Sequence, residues 1–134
     1  MHISEEEFSR QFLEFLISNK RYPKGLVIRE HSLSSSEGSV QRKNRRVDIL
    51  VSYKNEGTLS PLLLIECKRA SPNRAAYNQL FGYNKKIGAI WCGLVWPMSY
   101  ALFYNGLLVR SGTLSDFPSY SELCGSAASS IMSF

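Results

Sequence analysis

The stretch PLLLIECKRA, residues 61–70, decides how the fold of this chain is interpreted. Four apolar residues lead without a break into Glu66, one spacer residue and Lys68. Such an apolar run predicts a buried strand, and buried strands normally end in turn residues. Here the strand ends in two opposite charges that point to the same face, because they are two positions apart. The stretch is therefore either an ordinary salt-bridged strand end or part of a charged site.

The preceding predicted strand supplies a second carboxylate. The segment RVDILVSY, residues 46–53, has the composition of a strand, and Gly57 lies near the middle of the turn that follows. If the two strands are antiparallel and symmetric about Gly57, Asp48 lies opposite Glu66, since each is nine residues from that glycine. Opposed residues share a face, so Asp48, Glu66 and Lys68 are predicted to converge. A slip of one residue in the register would separate them.

A cluster of this kind has a specific chemical use. Two neighbouring carboxylates repel each other unless a cation lies between them. Mg²⁺ prefers carboxylate oxygens, waters and phosphate oxygens, and the backbone carbonyl of Cys67 can complete the set. A nearby lysine can orient or deprotonate a water and offset charge that grows on a phosphate. The residues favour a Mg²⁺ site, with Mn²⁺ as a substitute, formed by Asp48, Glu66 and the Cys67 carbonyl with Lys68 beside it, and an ordinary salt-bridged strand end is the alternative.

The pattern along the chain predicts one α/β (α+β) domain over residues 1–125, with elements in the order α-β-β-β-α-β-β-β. Helices are predicted over residues 4–19, capped by Ser4, and over residues 72–87. The expected architecture has three layers, with a mixed central sheet between the two helices. The serine-rich tail, residues 126–134, is predicted to be poorly ordered. Strands are predicted over residues 26–33, 46–53, 62–68, 88–96, 100–104 and 107–112.

One long stretch raises the question of a membrane. Residues 87–109 carry no charge and are long enough to span a bilayer. The stretch nevertheless contains Pro97 and an Asn105-Gly106 pair, which is a hairpin signal between apolar runs. We therefore predict buried strands with a hairpin here and no membrane partner. The odd number of widely spaced cysteines excludes a disulfide framework and favours reduced thiols in the cytoplasm.

The charge balance favours an anionic partner. The chain has 134 residues and a net charge of +5, which suits nucleic acid, most readily DNA. The segment QRKNRR, residues 41–46, places four cations just before Asp48, although a solvated loop is the alternative interpretation. The residues predicted to contact phosphates are Arg42, Lys43, Arg45, Arg46 and Arg74.

The second helix adds two polar residues on one face. Gln79 and Tyr83 are four positions apart, so both are predicted to reach a phosphate or a base edge. The alternative is that Tyr83 packs in the core and Gln79 lies at its rim.

Taken together, the segments RRVDILV, PLLLIECKRA and YNQLFGYNK resemble the PD-(D/E)xK nuclease superfamily. The chain resembles in particular the N-terminal nuclease domain of type I restriction enzyme R subunits. This resemblance implies a restriction-endonuclease-like fold and a Mg²⁺-dependent DNA endonuclease. It makes Asp48 and Glu66 metal ligands and Lys68 the catalytic lysine. It also implies that Gln79 and Tyr83, which match the motif QxxxY, belong to the catalytic site.

The family often has a further glutamate on the first helix. A helical wheel favours Glu5, which lies on the side of Phe8 and Phe12, whereas counting by the motif favours Glu6 or Glu7. Glu6 is kept as a candidate metal ligand, and the choice stays open.

The sequence also departs from the family. The stretch GLVWPMSYALF, residues 93–103, lacks the expected Thr-Asn-Gly turn, so the last third is expected to pack or assemble differently. Cleavage of both strands usually needs two sites, which favours a homodimer. Two other interpretations stay open. One is a nucleic-acid-binding module that keeps the fold without efficient cleavage, and the other is an unrelated basic protein-interaction domain.

Overall fold

The computed structural model describes residues 3–32 and 46–125 of the chain. Six strands form one mixed sheet in the order β1-β2-β3-β4-β5-β6, in which β3 and β4 run parallel and the other neighbours antiparallel. This confirms the predicted α/β class. The elements are α1 (Glu5–Asn19), β1 (Val27–Ser32), β2 (Arg46–Asn55), β3 (Thr58–Cys67), α2 (Arg74–Ile87), β4 (Trp91–Trp96), β5 (Ser99–Tyr104) and β6 (Leu107–Thr113).

A hydrophobic cluster covers each face of the sheet. On one face, Phe12 and Leu16 of α1 pack in a cluster with Ile65 of β3. On the other face, Leu80 of α2 packs in a cluster with Leu64. Because successive residues of a strand point to opposite faces, a strand covered on both sides needs apolar residues at every position. This explains the uninterrupted apolar run of β3, in which successive side chains pack on opposite faces of the sheet.

Both helices begin at residues whose side chains cap them, and α2 ends at a glycine. The Ser4 side chain accepts a hydrogen bond from the Glu7 N–H at 3.0 Å, and Asn73 Oδ1 accepts one from the Ala76 N–H at 3.0 Å. Helix α2 ends at Gly88, whose φ of 77° is readily adopted by glycine. Helix α2 is the crossover between the parallel strands β3 and β4, so it begins next to the end of β3 that carries Glu66.

The turn between β2 and β3 is not centred on a single glycine. It consists of Glu56 and Gly57, whose φ values of 53° and 88° are those of a type I′ hairpin turn. A regular hairpin with this centre would place Asp48 opposite Ile65. Glu66 would then point to the other face of the sheet, and the predicted cluster would not form.

A β-bulge restores the pairing. The ladder shifts after Val51, which pairs with Leu63, so Leu62 is an extra residue in β3. Leu62 and Leu63 accordingly both belong to the cluster on the α1 face. Beyond the bulge the register continues to a point one step before Asp48 and Glu66, which places these two residues opposite each other. The predicted pairing holds because of the bulge and not because of symmetry about the turn.

The remaining predicted elements are also present. The Asn105-Gly106 hairpin is confirmed, with φ values of 55° and 81° at the two turn residues. Among the described residues, no helix is long and apolar enough to cross a membrane. The cationic residues 41–45 and the tail after residue 125 lie outside the described part of the chain.

A short helix over residues 120–125 was not predicted. It is too short for a periodic signal, and its position depends on distant contacts. Just before it, the Phe117 ring packs edge-on against Phe12 at 5.3 Å and Tyr100 at 4.9 Å, and the Tyr22 hydroxyl donates to the Pro118 carbonyl at 3.0 Å.

Candidate active site

The end of β3 holds a buried carboxylate. Glu66 is only 8% exposed, which is unusual for a carboxylate. Asp48 of the neighbouring strand β2 lies opposite, and its Oδ2 atom accepts a hydrogen bond of 2.6 Å from the Cys67 backbone N–H. This short, charge-assisted bond fastens the end of β3 to β2 at the point where the two carboxylates meet.

Lys68 follows on the same face of the sheet. Its Nζ atom lies 3.7 Å from Glu66 Oε2, which is an ion-pair distance but longer than a hydrogen bond. Its backbone N–H donates to the Val95 carbonyl at 2.8 Å, so strand β4 holds the residue in place. The Lys68 side chain is 23% exposed and can therefore reach both the carboxylates and a molecule in solvent.

The electrostatics of the group leave the negative charge poorly compensated. Burial, and next the negative charge of Asp48, raise the pKa of Glu66 from 4.5 to about 8, although Lys68 acts in the opposite direction. Within the described residues, Glu66 Oε1 is buried and makes no hydrogen bond. One lysine is therefore too little to hold both carboxylates ionised at neutral pH. An additional cation would do so.

The Cys67 side chain lies on the opposite face of the sheet from Glu66 and Lys68. It lies in the cluster under α1, and burial raises the pKa of its thiol well above the ordinary value. A thiol of this kind stays protonated and is a poor ligand for a hard cation. The predicted contribution of Cys67 to a metal site is through its backbone carbonyl, and it stays a prediction.

A cleft of about 500 Å³ opens beside Lys68, although neither Asp48 nor Glu66 is among the residues that line it. Lys68 and Arg69 line it at the end of β3, Gln79 lines it from α2, and Glu5 lines it from the first turn of α1. The charge of Glu5 also contributes to the raised pKa of Glu66. These contacts favour Glu5 as the glutamate of the first helix that faces the site.

Glu6 and Glu7 occupy other positions on α1. Glu6 is exposed and is not among the residues that line the cleft. Glu7 forms an ion pair with Arg10 and accepts a hydrogen bond from Gln11 at 3.3 Å. Glu6, the residue kept as a candidate metal ligand, thus lacks the placement that Glu5 has, because successive helix residues differ by about 100° in direction.

The structure separates the two residues of QxxxY. Gln79 is exposed and lines the cleft, whereas Tyr83 is 8% exposed and packs in the α2-side cluster with Leu80. Leu80 and Tyr83 are three positions apart and face the sheet together, which leaves Gln79 at the edge of that contact. Of the two, Gln79 has direct access to a ligand in the cleft.

The available donors suit a Mg²⁺ ion whose remaining ligands are waters or phosphate oxygens. Within residues 3–32 and 46–125, no group of three or more His, Cys, Asp or Glu side chains has metal-binding geometry. Asp48 and Glu66 provide two hard oxygen donors, and one Glu66 oxygen has no other partner there. Mg²⁺ commonly binds through one or two carboxylates and keeps waters or phosphate oxygens for its remaining positions. The residues present fit this mode of binding.

Of the five basic residues predicted to contact phosphates, three lie outside the described part of the chain. Arg42, Lys43 and Arg45 lie outside the described residues, and Arg46 begins β2. Arg74 is exposed at the first position of α2, beside Asn73, which lines the cleft.

Two residues near the site were missed by the sequence reasoning. Arg69 lines the cleft, and its position directly after Lys68 could have indicated this. Trp96 ends the strand next to β3, but only the parallel pairing of β3 and β4 brings it there, and no motif marks it.

Comparison with known proteins identifies the family. The model of the family described as type I restriction enzyme R protein N terminus (HSDR_N) matches residues 4–97. The match covers more than half of the chain and includes α1, α2 and strands β1 to β4. No curated protein and no solved structure matches the chain. The chain therefore belongs to this family, which confirms the resemblance to the R-subunit N-terminal domain and indicates a nuclease-related role in a restriction system.

Proposed function

We propose that this member of the type I restriction enzyme R protein N-terminal family is a Mg²⁺-dependent DNA endonuclease. The observation that carries the proposal is the buried Glu66, whose pKa is raised to about 8 beside Asp48 even though Lys68 lies 3.7 Å away. A buried carboxylate with a raised pKa is a common feature of functional sites, because its burial does not stabilise the metal-free fold.

The charge balance at Glu66, and not its distance from Lys68, argues against an ordinary salt-bridged strand end. In such an ion pair the lysine would lower the pKa of its partner, as an opposite charge normally does. Here burial and Asp48 outweigh Lys68, so Glu66 is mainly protonated at neutral pH in the metal-free protein. A protonated Glu66 forms no ion pair with Lys68. The lysine is therefore available for another partner in the cleft.

Each residue has a role in phosphodiester hydrolysis. Asp48, Glu66 and the Cys67 carbonyl would hold Mg²⁺, and the bound ion would lower the pKa of a water and polarise the phosphate. The Lys68 ammonium lies beside the carboxylates and is positioned to orient the attacking water and to offset charge on the phosphate oxygens. Gln79 and Arg69 reach the same cleft and can donate hydrogen bonds to the DNA backbone.

The decisive experiment is incubation with supercoiled plasmid and with single-stranded DNA, each with Mg²⁺, Mn²⁺, Ca²⁺ or EDTA. We expect cleavage with Mg²⁺ or Mn²⁺ and none with EDTA. Asp48→Asn is the matched variant, since it removes one charge without changing the volume. Cleavage that persists in Asp48→Asn would point to a contaminating nuclease. Binding without cleavage by the wild-type chain under all conditions would favour a nucleic-acid-binding module instead.

A further inference from the structure

A second groove lies on the α2 side of the sheet. This aromatic groove, of about 600 Å³, runs between α2 and strands β5 and β6. None of its lining residues in the described part of the chain carries a charge. Its large apolar side chains come from α2 and from three strands: Tyr77, Phe81, Trp96, Tyr100, Phe103 and Leu108.

Trp96 lies at the end of the groove nearest the candidate active site. In the parallel pair of β3 and β4, Cys67 is the partner of Val95. One step further along both strands, Trp96 therefore lies alongside Lys68. Trp96 also packs partly against the α2-side cluster, which contains Leu94, so its ring is on the sheet face that carries Glu66 and Lys68.

Ring contacts distinguish Trp96 from the other aromatic residues of the groove. Phe103 receives the Tyr77 ring at 5.4 Å and the Phe81 ring at 5.2 Å, both in edge-on geometry, so these three rings hold one another. Trp96 makes no ring–ring contact within the described residues, and its side chain is half-buried. A flat partner can thus stack on the Trp96 indole without displacing a packed ring.

The turn after Trp96 holds the residue in place. Pro97 and Met98 form a two-residue connection between β4 and β5, in which Met98 adopts a φ of 74° and is 77% exposed. The Met98 carbonyl accepts a hydrogen bond of 3.2 Å from the Leu114 N–H. Trp96 is therefore presented from a strand whose end is fixed, which favours a defined binding geometry.

The charge distribution indicates what this partner is. The groove is neutral and, among the described residues, shares no lining residue with the candidate active-site cleft. Lys68, which lies alongside Trp96, lines that cleft together with Arg69, and Arg74 begins the helix that carries Tyr77. A ligand that fits both parts has a flat uncharged ring and an anionic backbone. An unpaired nucleotide has this combination, with its base in the groove and its phosphate at the basic residues.

We propose that Trp96 stacks on an unpaired nucleobase of the strand whose phosphate occupies the candidate active site. This inference rests on the proposed nuclease function and extends it to substrates with unpaired bases near the cleavage position. The base contact itself does not require cleavage, so the two proposals can be tested separately.

The test measures binding in Ca²⁺ to a 12-nucleotide thymidine strand and to an abasic strand of equal length. Trp96→Ala should weaken thymidine-strand binding by about tenfold or more, the usual effect of losing one stacked base. Trp96→Phe should retain most of the affinity. The abasic strand should bind wild type and Trp96→Ala alike. Leu107→Ala, which removes an exposed leucine of the same edge strand that is not among the residues lining the groove, is the matched control and should match wild type.

A second measurement guards against misfolding of Trp96→Ala. In a Trp91→Phe background, fluorescence reports Trp96 alone, and the thymidine strand should quench it while the abasic strand should not. Equal loss of affinity for both strands, or no quenching by either, would overturn the stacking role. A shift in oligomeric state on Trp96→Ala without any change in DNA binding would also overturn it and assign the groove to a second copy of the chain. Quenching without cleavage would support the stacking and count against the nuclease.

Discussion

The β2–β3 and β5–β6 hairpins are built from the same local devices and use them differently. Each turns over two residues with positive φ, and each contains one β-bulge. In the first hairpin the extra residue is Leu62, within a central strand. In the second it is Val109, within the edge strand β6. A bulge in a buried strand re-aims side chains on both faces, whereas a bulge at an edge twists the strand away from further pairing.

The consequences for burial are opposite. The first hairpin brings a carboxylate, Glu66, to 8% exposure. The second leaves Leu107, Leu108 and Val109 at 50–69% exposure. A buried charge is costly and calls for a compensating partner, while exposed apolar side chains are a normal part of a protein surface. The first hairpin should therefore respond strongly to small chemical changes, and the second should not.

The largest expected effect is on the rate of cleavage. Lys68→Ala should lower the rate by about 10²- to 10⁴-fold, which is the usual contribution of one acid–base or electrostatic contact. Mg²⁺ affinity should hold or rise, because a neighbouring positive charge has been removed. A cleavage time course and calorimetry of Mg²⁺ binding measure the two quantities. A variant that cuts at the wild-type rate would remove Lys68 from the mechanism.

The next effect is on the pH dependence of metal binding. Since the metal-free Glu66 has a pKa of about 8, Mg²⁺ must displace its proton at lower pH. Apparent Mg²⁺ affinity should therefore rise about tenfold per pH unit from pH 6 towards pH 8 and level off above it. Titrations in two buffers with different ionisation enthalpies would count the released proton. A flat profile would show that Glu66 is not a ligand.

The stability of the metal-free protein should also depend on the ionisation of Glu66. The folded pKa of Glu66 lies above its ordinary value of 4.5, so the folded state binds the proton more tightly than the unfolded state. Stability should therefore fall as the pH rises from about 4.5 to about 8. Glu66→Gln avoids this loss and should be more stable by roughly 3 kcal/mol at pH 7, with little difference at pH 4. Urea unfolding at both pH values would show it. A destabilised Glu66→Gln protein would restore the structural ion-pair interpretation.

The smallest effect is expected in the second hairpin. Leu108→Lys replaces an exposed side chain on the edge strand, so the free energy of unfolding should change by no more than about 0.5 kcal/mol. Lysine also protects an edge strand from pairing with other chains. Thermal unfolding and analytical ultracentrifugation would test this. A large loss of stability or a change of oligomeric state would show that the exposed apolar residues have a partner.

The candidate site residues differ in how far the sequence could indicate their placement. Asp48, Glu66 and Lys68 were identified because their types and spacing are local, and alternation along a strand follows from backbone geometry alone. Their meeting was predicted from a turn centred on Gly57, but the turn is centred between Glu56 and Gly57, and the bulge compensates. Bulges have no reliable sequence signal here, since Leu62 is one leucine within an apolar run.

By itself, the sequence determined the element order, the helix cap at Ser4 and the burial of β3, because short-range hydrogen bonds and side-chain periodicity suffice for these. Tertiary structure alone decided that Glu5 lines the cleft, that Tyr83 packs in the core and that Trp96 lies beside Lys68. These placements depend on how α1 and α2 pack on the sheet and on the parallel pairing of β3 with β4. Such contacts join residues far apart in the chain, and their geometry is set by packing of the whole core.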